Sequence, residues 1–227
     1  MEFRALTRLF LTVVGIATAG LLFVAAASAS PLRECSRLEK VIPLADGVAV
    51  AAGSTWTHNV SCENPPGDGG TRFLVKFNAD GKLDGTFGDG GYAMGPTGAG
   101  WMLDLTKSES GGFILVNQFE VDRFTAGGEL DPGFAEGGRL FPGKPGDATE
   151  NIISATTLDG KIYLSQSPSG YPTLTRFLEN GFRDPSFGTN GRLVLSPAPG
   201  LVNYGAGRIA ADPKGRIFMW TGFAMGR

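Results

Sequence analysis

Four times along the chain a glycine-containing turn leads directly into an apolar run. Asp46-Gly47 precedes Val48, Ala49 and Val50; Gly111-Gly112 precedes Phe113 to Val116; Asp159-Gly160 precedes Ile162 to Leu164; and Lys214-Gly215 precedes Ile217 to Met219. Glycine after aspartate favours a tight turn, and a short, partly β-branched apolar run reads as a buried strand. Beyond residue 30 no stretch keeps apolar residues at i, i+3 and i+4 over three turns, so helix is predicted to be almost absent.

A second pattern sits between these runs. Three segments align without gaps: KFNADGKLDGTFGDGG at 76–91, RFTAGGELDPGFAEGG at 123–138 and RFLENGFRDPSFGTNG at 176–191. A basic residue recurs at Lys76, Arg123 and Arg176, each followed by phenylalanine. In the same register stand Gly81, Gly128 and Gly181, then Asp84, Asp131 and Asp184, then Phe87, Phe134 and Phe187. The third copy shows what one unit contains: strands are expected over Ile152–Ala155, Lys161–Ser165, Thr173–Leu178 and Arg192–Leu195. Four short antiparallel strands per period of about 50 residues is the plan of a propeller blade. The fold is therefore expected to be all-β, a partial β-propeller of about three and a half four-stranded blades in tandem. The blades are placed at 38–95, 96–143, 144–197 and an incomplete 198–227.

The string K/R-F-x-x-x-G-x-x-D-x-x-F-G-x-x-G, fed by an upstream glycine turn and strand, resembles the delta-60 repeat family. That resemblance covers nearly all of residues 38–227 and implies tandem propeller-like repeats in exported or surface proteins, mostly bacterial. It implies no catalytic residue, because the family has no general activity. The second copy departs at Ala135, where glycine is expected, and at Gly127.

The repeated aspartates read as turn residues. Asp131-Pro132 and Asp184-Pro185 put Asp at i and Pro at i+1 of a type I turn with an Asx cap, a structural task needed once per blade. Lys76, Arg123 and Arg176 are expected to pair with these aspartates, in the same or the adjacent blade, as exposed pairs of little energetic consequence. The recurring phenylalanines read as blade packing. Asn78, Asp80 and Asp84 resemble part of an acidic calcium loop, but Leu178 in the third copy cannot ligate, so no metal is expected.

Composition narrows the functions. Glycine (35) and proline (14) together reach nearly twice the usual share of a globular domain, which blade turns account for. A net charge of -2 excludes a broadly basic binder of nucleic acid or anionic membranes. One histidine and two cysteines leave almost no material for a transition-metal site or a Cys/His catalytic pair. No cofactor is expected. The dinucleotide-like triplets Gly88, Gly90, Ala93 and Gly205, Gly207, Ala210 lack the helix that would make them meaningful.

The N-terminus carries Arg4 and Arg8, then an uncharged run from Leu9 to Ala27, then Ala27-Ser28-Ala29. This reads as a signal peptide over 1–29, leaving a mature domain at 30–227. An uncleaved N-terminal membrane anchor is the alternative, because the apolar run approaches spanning length. The expected address is secreted, periplasmic or cell-surface, with no membrane contact after cleavage. In an oxidising compartment Cys35 and Cys62 are expected to form one disulfide.

Function is then expected from loops. The loop placed at 54–71 carries Trp56 and His58, the matching loop of the third unit carries Tyr171, and the fourth unit ends in Phe223. Such aromatics suit an unknown protein or glycan partner. The reading is an exported, non-catalytic binding or structural module. The alternative is a propeller-fold polysaccharide hydrolase or lyase using carboxylates such as Asp104 and Glu109. An incomplete fourth blade leaves an open sheet edge, so the chain is expected to be a fragment of a longer product or to associate with another copy.

Overall fold

The computed structural model describes residues 33–58, 70–97, 100–143, 150–196 and 201–225. The signal-peptide segment and Cys62 lie outside them. The chain divides into two compact units with the boundary between residues 98 and 99.

The first unit holds one antiparallel sheet of strands β1 (Arg33–Pro43), β2 (Ala49–His58), β3 (Thr71–Phe77) and β4 (Tyr92–Thr97), in chain order. The second holds β5 (Met102–Lys107), β6 (Phe113–Asn117), β7 (Val121–Phe124) and β8 (Arg139–Leu140) as one sheet. It also holds β9 (Ile152–Leu158), β10 (Lys161–Gln166), β11 (Thr173–Phe177) and β12 (Arg192–Val194) as another, and the hairpin β13 (Leu201–Ala211) and β14 (Ile217–Met225). The fold is a partial β-propeller: three four-stranded meanders and a two-stranded half-blade. Among the described residues helix is confined to single 3-10 turns, and no helix is long and apolar enough to cross a membrane.

Blade one is longer than its sequence implied. β1 already begins at Arg33, and β2 runs through Trp56 to His58, where the sequence placed a loop from residue 54. The extension comes from cross-strand pairing, with Cys35 opposite Trp56 and Ser36 opposite Thr55. Such nonlocal pairing is invisible to local pattern.

In the second unit, β9 packs beside both β5 and β13, so first strands of successive blades stand side by side. One continuous core joins blades two and three: Ile114, Val116, Val121, Phe134 and Leu140 interlock with Ile152, Ala155, Ile162, Leu164 and Phe177. Each of these side chains other than Ala155 contributes about 1.5–3 kcal/mol of burial.

The loop between third and fourth strands folds alike in every complete blade. The amides of Asp84, Asp131 and Asp184 donate to the carbonyls of Lys76, Arg123 and Arg176 at 2.8, 2.8 and 3.0 Å. Each Oδ1 accepts from the amide two residues on, Thr86 at 3.1 Å, Gly133 at 2.9 Å and Ser186 at 3.0 Å. Each Oδ2 pairs with the basic residue of its own blade, Lys76 at 3.0 Å and Arg123 and Arg176 at 2.8 Å. Phe87, Phe134 and Phe187 close the turn by donating to the Asp carbonyl. Arg123 and Arg176 stand over the Phe134 and Phe187 rings at 4.7 and 4.5 Å. The Arg123 and Arg176 pairs are partly sheltered, each guanidinium lying under a phenylalanine ring, whereas the Lys76 pair is more exposed. Phe87 and Phe134 are buried, whereas Phe187 is half-buried. It packs in the cluster of Tyr163, Leu174 and Ile209, to which the half-blade contributes only two strands.

Candidate functional site

Turns of blades two and three border a shallow, open cleft of about 520 Å³ in the second unit. Glu109 and Ser110 come from the β5–β6 turn, closed by Ser108 N–H to the Gly112 carbonyl at 2.9 Å. Asp159 and Gly160 form the two-residue β9–β10 turn, both at positive φ (49° and 68°), with Leu158 opposite Lys161. Glu179 and Asn180 open the loop after β11, where Leu178 N–H donates to the Phe182 carbonyl at 2.8 Å and Phe182 N–H to Asn180 Oδ1 at 3.1 Å. Each wall is thus a hydrogen-bonded turn.

Arg123 lies at the base. Its Nη1 donates to the Glu179 carbonyl, tying blade two to blade three. Ala135 N–H donates to the Asn180 carbonyl at 2.8 Å and adds a second tie. The cleft therefore stands on a fixed interblade joint. Gly160 keeps it open: a Cβ there would stand 3.0 Å from Glu109 Oε2 and 3.7 Å from Glu179 Oε2. Both carboxylates consequently face one point, with Asp159 and Lys161 on the same rim. The lining is rich in acceptors, the Arg123 charge already being matched by Asp131. Such an array can receive hydroxyl or ammonium donors.

The residues singled out in the sequence are dispersed. Trp56, expected in the loop at 54–71, is a β2 residue only 6% exposed. It is packing, because β2 extends past it. His58 is the last residue of β2, opposite Arg33. Tyr171 follows a 3-10 turn at Pro168–Gly170 and is 48% exposed, at the opposite end of blade three's strands from the cleft. Cys35 is buried. Asp104 and Glu109 do not converge: Asp104 lies within β5 and accepts from Leu105 N–H at 2.9 Å, whereas Glu109 lies beyond the strand's end in the turn. The structure pairs Glu109 with Glu179 instead.

The calcium-like positions are taken by cations of the chain. Asp80 pairs with Lys82 at 2.9 Å and Asp84 with Lys76 at 3.0 Å. Among the described residues no group of three or more His, Cys, Asp or Glu is placed to hold a metal.

Sequence reading missed Asp159, Lys161, Glu179 and Asn180 as partners of Glu109. Their only signal is that polar, non-repeating residues occupy turns whose counterparts differ in the other copies. Trp101, half-exposed just before β5, was also missed.

No protein-family model matches the chain, and no curated protein matches it. Among solved structures it is similar to a catalytically inactive virginiamycin B lyase from Staphylococcus aureus with quinupristin, at 13% identity and TM-score 0.49, covering 83% of this chain and 52% of that one. It is similar to a luciferin-regenerating enzyme at 10% identity and TM-score 0.41, covering 77% and 50%. It is also similar to the extracellular domain of a one-component system from B. thetaiotaomicron at 10% identity and TM-score 0.38, covering 84% and 26%. The chain spans about half the length of the first two structures and about a quarter of the third.

Proposed function

We propose that the chain is an exported, non-catalytic repeat protein of the delta-60 type, which binds a hydroxyl- or ammonium-bearing glycan or protein segment in the cleft between blades two and three. The observation that carries this reading is the convergence of Glu109 and Glu179 over Gly160 on a joint fixed by Arg123. Loop-built clefts on a rigid β-scaffold are where binding function is placed. The signal-like segment at 1–29 supports an address outside the cytoplasm, where a glycan or a surface protein is at hand.

The same convergence favours one second reading, a polysaccharide hydrolase, because two facing carboxylates are the minimum equipment for glycoside cleavage. Binding measured on Glu109→Gln and Glu179→Gln variants separates the two. A binding module loses affinity with either change and never alters its ligand. A hydrolase binds through either change and loses only the cleavage seen with the parent. Unchanged affinity together with an uncleaved ligand removes the cleft from both readings.

A further inference from the structure

Asparagine is followed directly by glycine at two places in the chain, Asn180-Gly181 and Asn190-Gly191, both in the loop between β11 and β12. Such a pair carries its own chemistry, because glycine has no Cβ to keep its main-chain nitrogen away from the preceding side-chain amide. Whether the two groups can meet depends on what holds them, and in this the two pairs differ.

Asn180-Gly181 is held at each reacting group. Gly181 N–H donates to the Leu178 carbonyl at 2.9 Å, and Asn180 Oδ1 accepts from Phe182 N–H at 3.1 Å. The Asn180 carbonyl accepts from Ala135 N–H of blade two at 2.8 Å.

Asn190-Gly191 forms the centre of a two-residue turn, with φ +50° and +81°. Thr189 N–H donates to the Arg192 carbonyl at 2.8 Å and Arg192 N–H to the Thr189 carbonyl at 3.1 Å. Blades one and two build the same turn from two glycines, Gly90-Gly91 and Gly137-Gly138, and asparagine is among the few other residues that tolerate this backbone. In those blades the N–H of the second glycine is occupied, Gly91 on the Phe87 carbonyl and Gly138 on the Phe134 carbonyl, both at 2.8 Å. Among the described residues Gly191 N–H has no acceptor, and the Asn190 side chain makes no hydrogen bond. Asn190 is exposed to water, as are Gly90 and Gly137.

We propose that Asn190 is a site of self-modification, at which the main-chain nitrogen of Gly191 displaces the side-chain amide. Local opening of the turn brings that nitrogen to Asn190 Cγ, and no bond to either reacting group has to be broken first. The N–Cγ bond forms, the Cγ–Nδ2 bond breaks, and the proton of the attacking nitrogen leaves with the amide as ammonia. Water then opens the cyclic imide. Opening at Cγ gives aspartate; opening at the main-chain carbonyl gives an isoaspartyl link, in which the chain runs through Cβ. The net reaction consumes one water and releases one ammonia, with no change of oxidation state. Either product sets a new carboxylate beside Arg192, which holds Glu150 at 2.8 Å. The isoaspartyl form also lengthens the turn that sets Arg192 opposite Thr175.

Trypsin separates the two pairs, residues 177–183 carrying Asn180 and residues 184–192 carrying Asn190. The folded chain is held at mildly alkaline pH in heavy-oxygen water, beside the same chain unfolded in urea and an Asn190→Gly variant. Mass spectrometry then follows both peptides. The expected result in the folded chain is uptake of heavy oxygen into 184–192, in both linkages, about tenfold faster than into 177–183. In urea the two peptides should convert at similar rates, and Asn190→Gly should abolish the uptake into 184–192. Equal rates in the folded chain overturn the proposal, as does conversion of 184–192 in urea alone. A gap that survives in urea also overturns it, because the fold then does not select Asn190, and so does uptake that persists in Asn190→Gly.

Discussion

Arg123 of blade two donates through Nη1 to the main-chain carbonyl of Glu179 in blade three, while its Nε holds Asp131 of its own blade at 2.8 Å. One guanidinium thus does what two separate side chains would otherwise do, joining a turn to a strand and a blade to its neighbour. A lysine has a single head and cannot span both partners. Arg123→Lys is expected to lose about 1–2 kcal/mol and Arg123→Ala about 2–4 kcal/mol. Lys76 holds the equivalent place in blade one with one ion pair, so Lys76→Ala should cost less than about 1 kcal/mol. Denaturant midpoints with unchanged m-values check all three.

Gly81 and Gly181 occupy the same motif position with nearly the same φ, +77° and +83°, but in different surroundings. A Cβ on Gly81 meets nothing within 4 Å, whereas one on Gly181 would stand 2.7 Å from the Ala135 Cβ and 2.8 Å from the Phe134 ring. Gly81→Ala should cost only the left-handed backbone strain, about 1–2 kcal/mol. Gly181→Ala adds overpacking of the interblade joint and should cost about 2–4 kcal/mol. Thermal unfolding of the two variants side by side reads the difference. Equal losses would show that the joint yields freely.

Acid should weaken blade one through Asp84. Its carboxyl is lowered to about 2, first by the Thr86 hydroxyl, then by Lys76 and the Thr86 amide. A carboxylate depressed on folding gives stability that is present above its unfolded value near 3.8 and lost as pH falls towards 2. Asp184 is lowered in the same sense, chiefly by the Ser186 hydroxyl. The melting temperature should therefore drop between about pH 4 and pH 2, and Asp84→Asn should flatten part of that drop while lowering stability at neutral pH. A variant with the parent's slope would remove Asp84 from the acid response.

Much of the architecture was legible because each blade repeats its own punctuation. The third unit's strands were expected to start at Ile152, Lys161, Thr173 and Arg192, and they do. The loop placed from residue 54 begins only after His58, because pairing with β1 carries β2 through Trp56. Glu109 and Glu179 stand 70 residues apart and meet only through interblade packing. No repeat marks them, because the turns that carry them differ between copies. Ala135 was visible as a departure from glycine, and the structure holds it at φ +42°, with its N–H on Asn180.

Cys35 is buried in β1 opposite Trp56, and Cys62 lies outside the described residues. We propose that the two are joined. The oxidised chain should then be two hydrogens lighter than the reduced chain. Reductant should remove about 3 kcal/mol by freeing the closed loop. Free-thiol labelling of both cysteines in unreduced, unfolded protein would exclude the bond.

The most direct measurement of the binding proposal is a glycan array and a matched array of basic peptides, probed with the parent chain and with a Glu109→Gln, Glu179→Gln double variant. Bound ligand is recovered and its mass determined. The proposal expects a defined set of ligands that the parent retains intact and the double variant no longer holds. The same ligands bound equally by the double variant, or recovered from the parent as cleaved products, would contradict it.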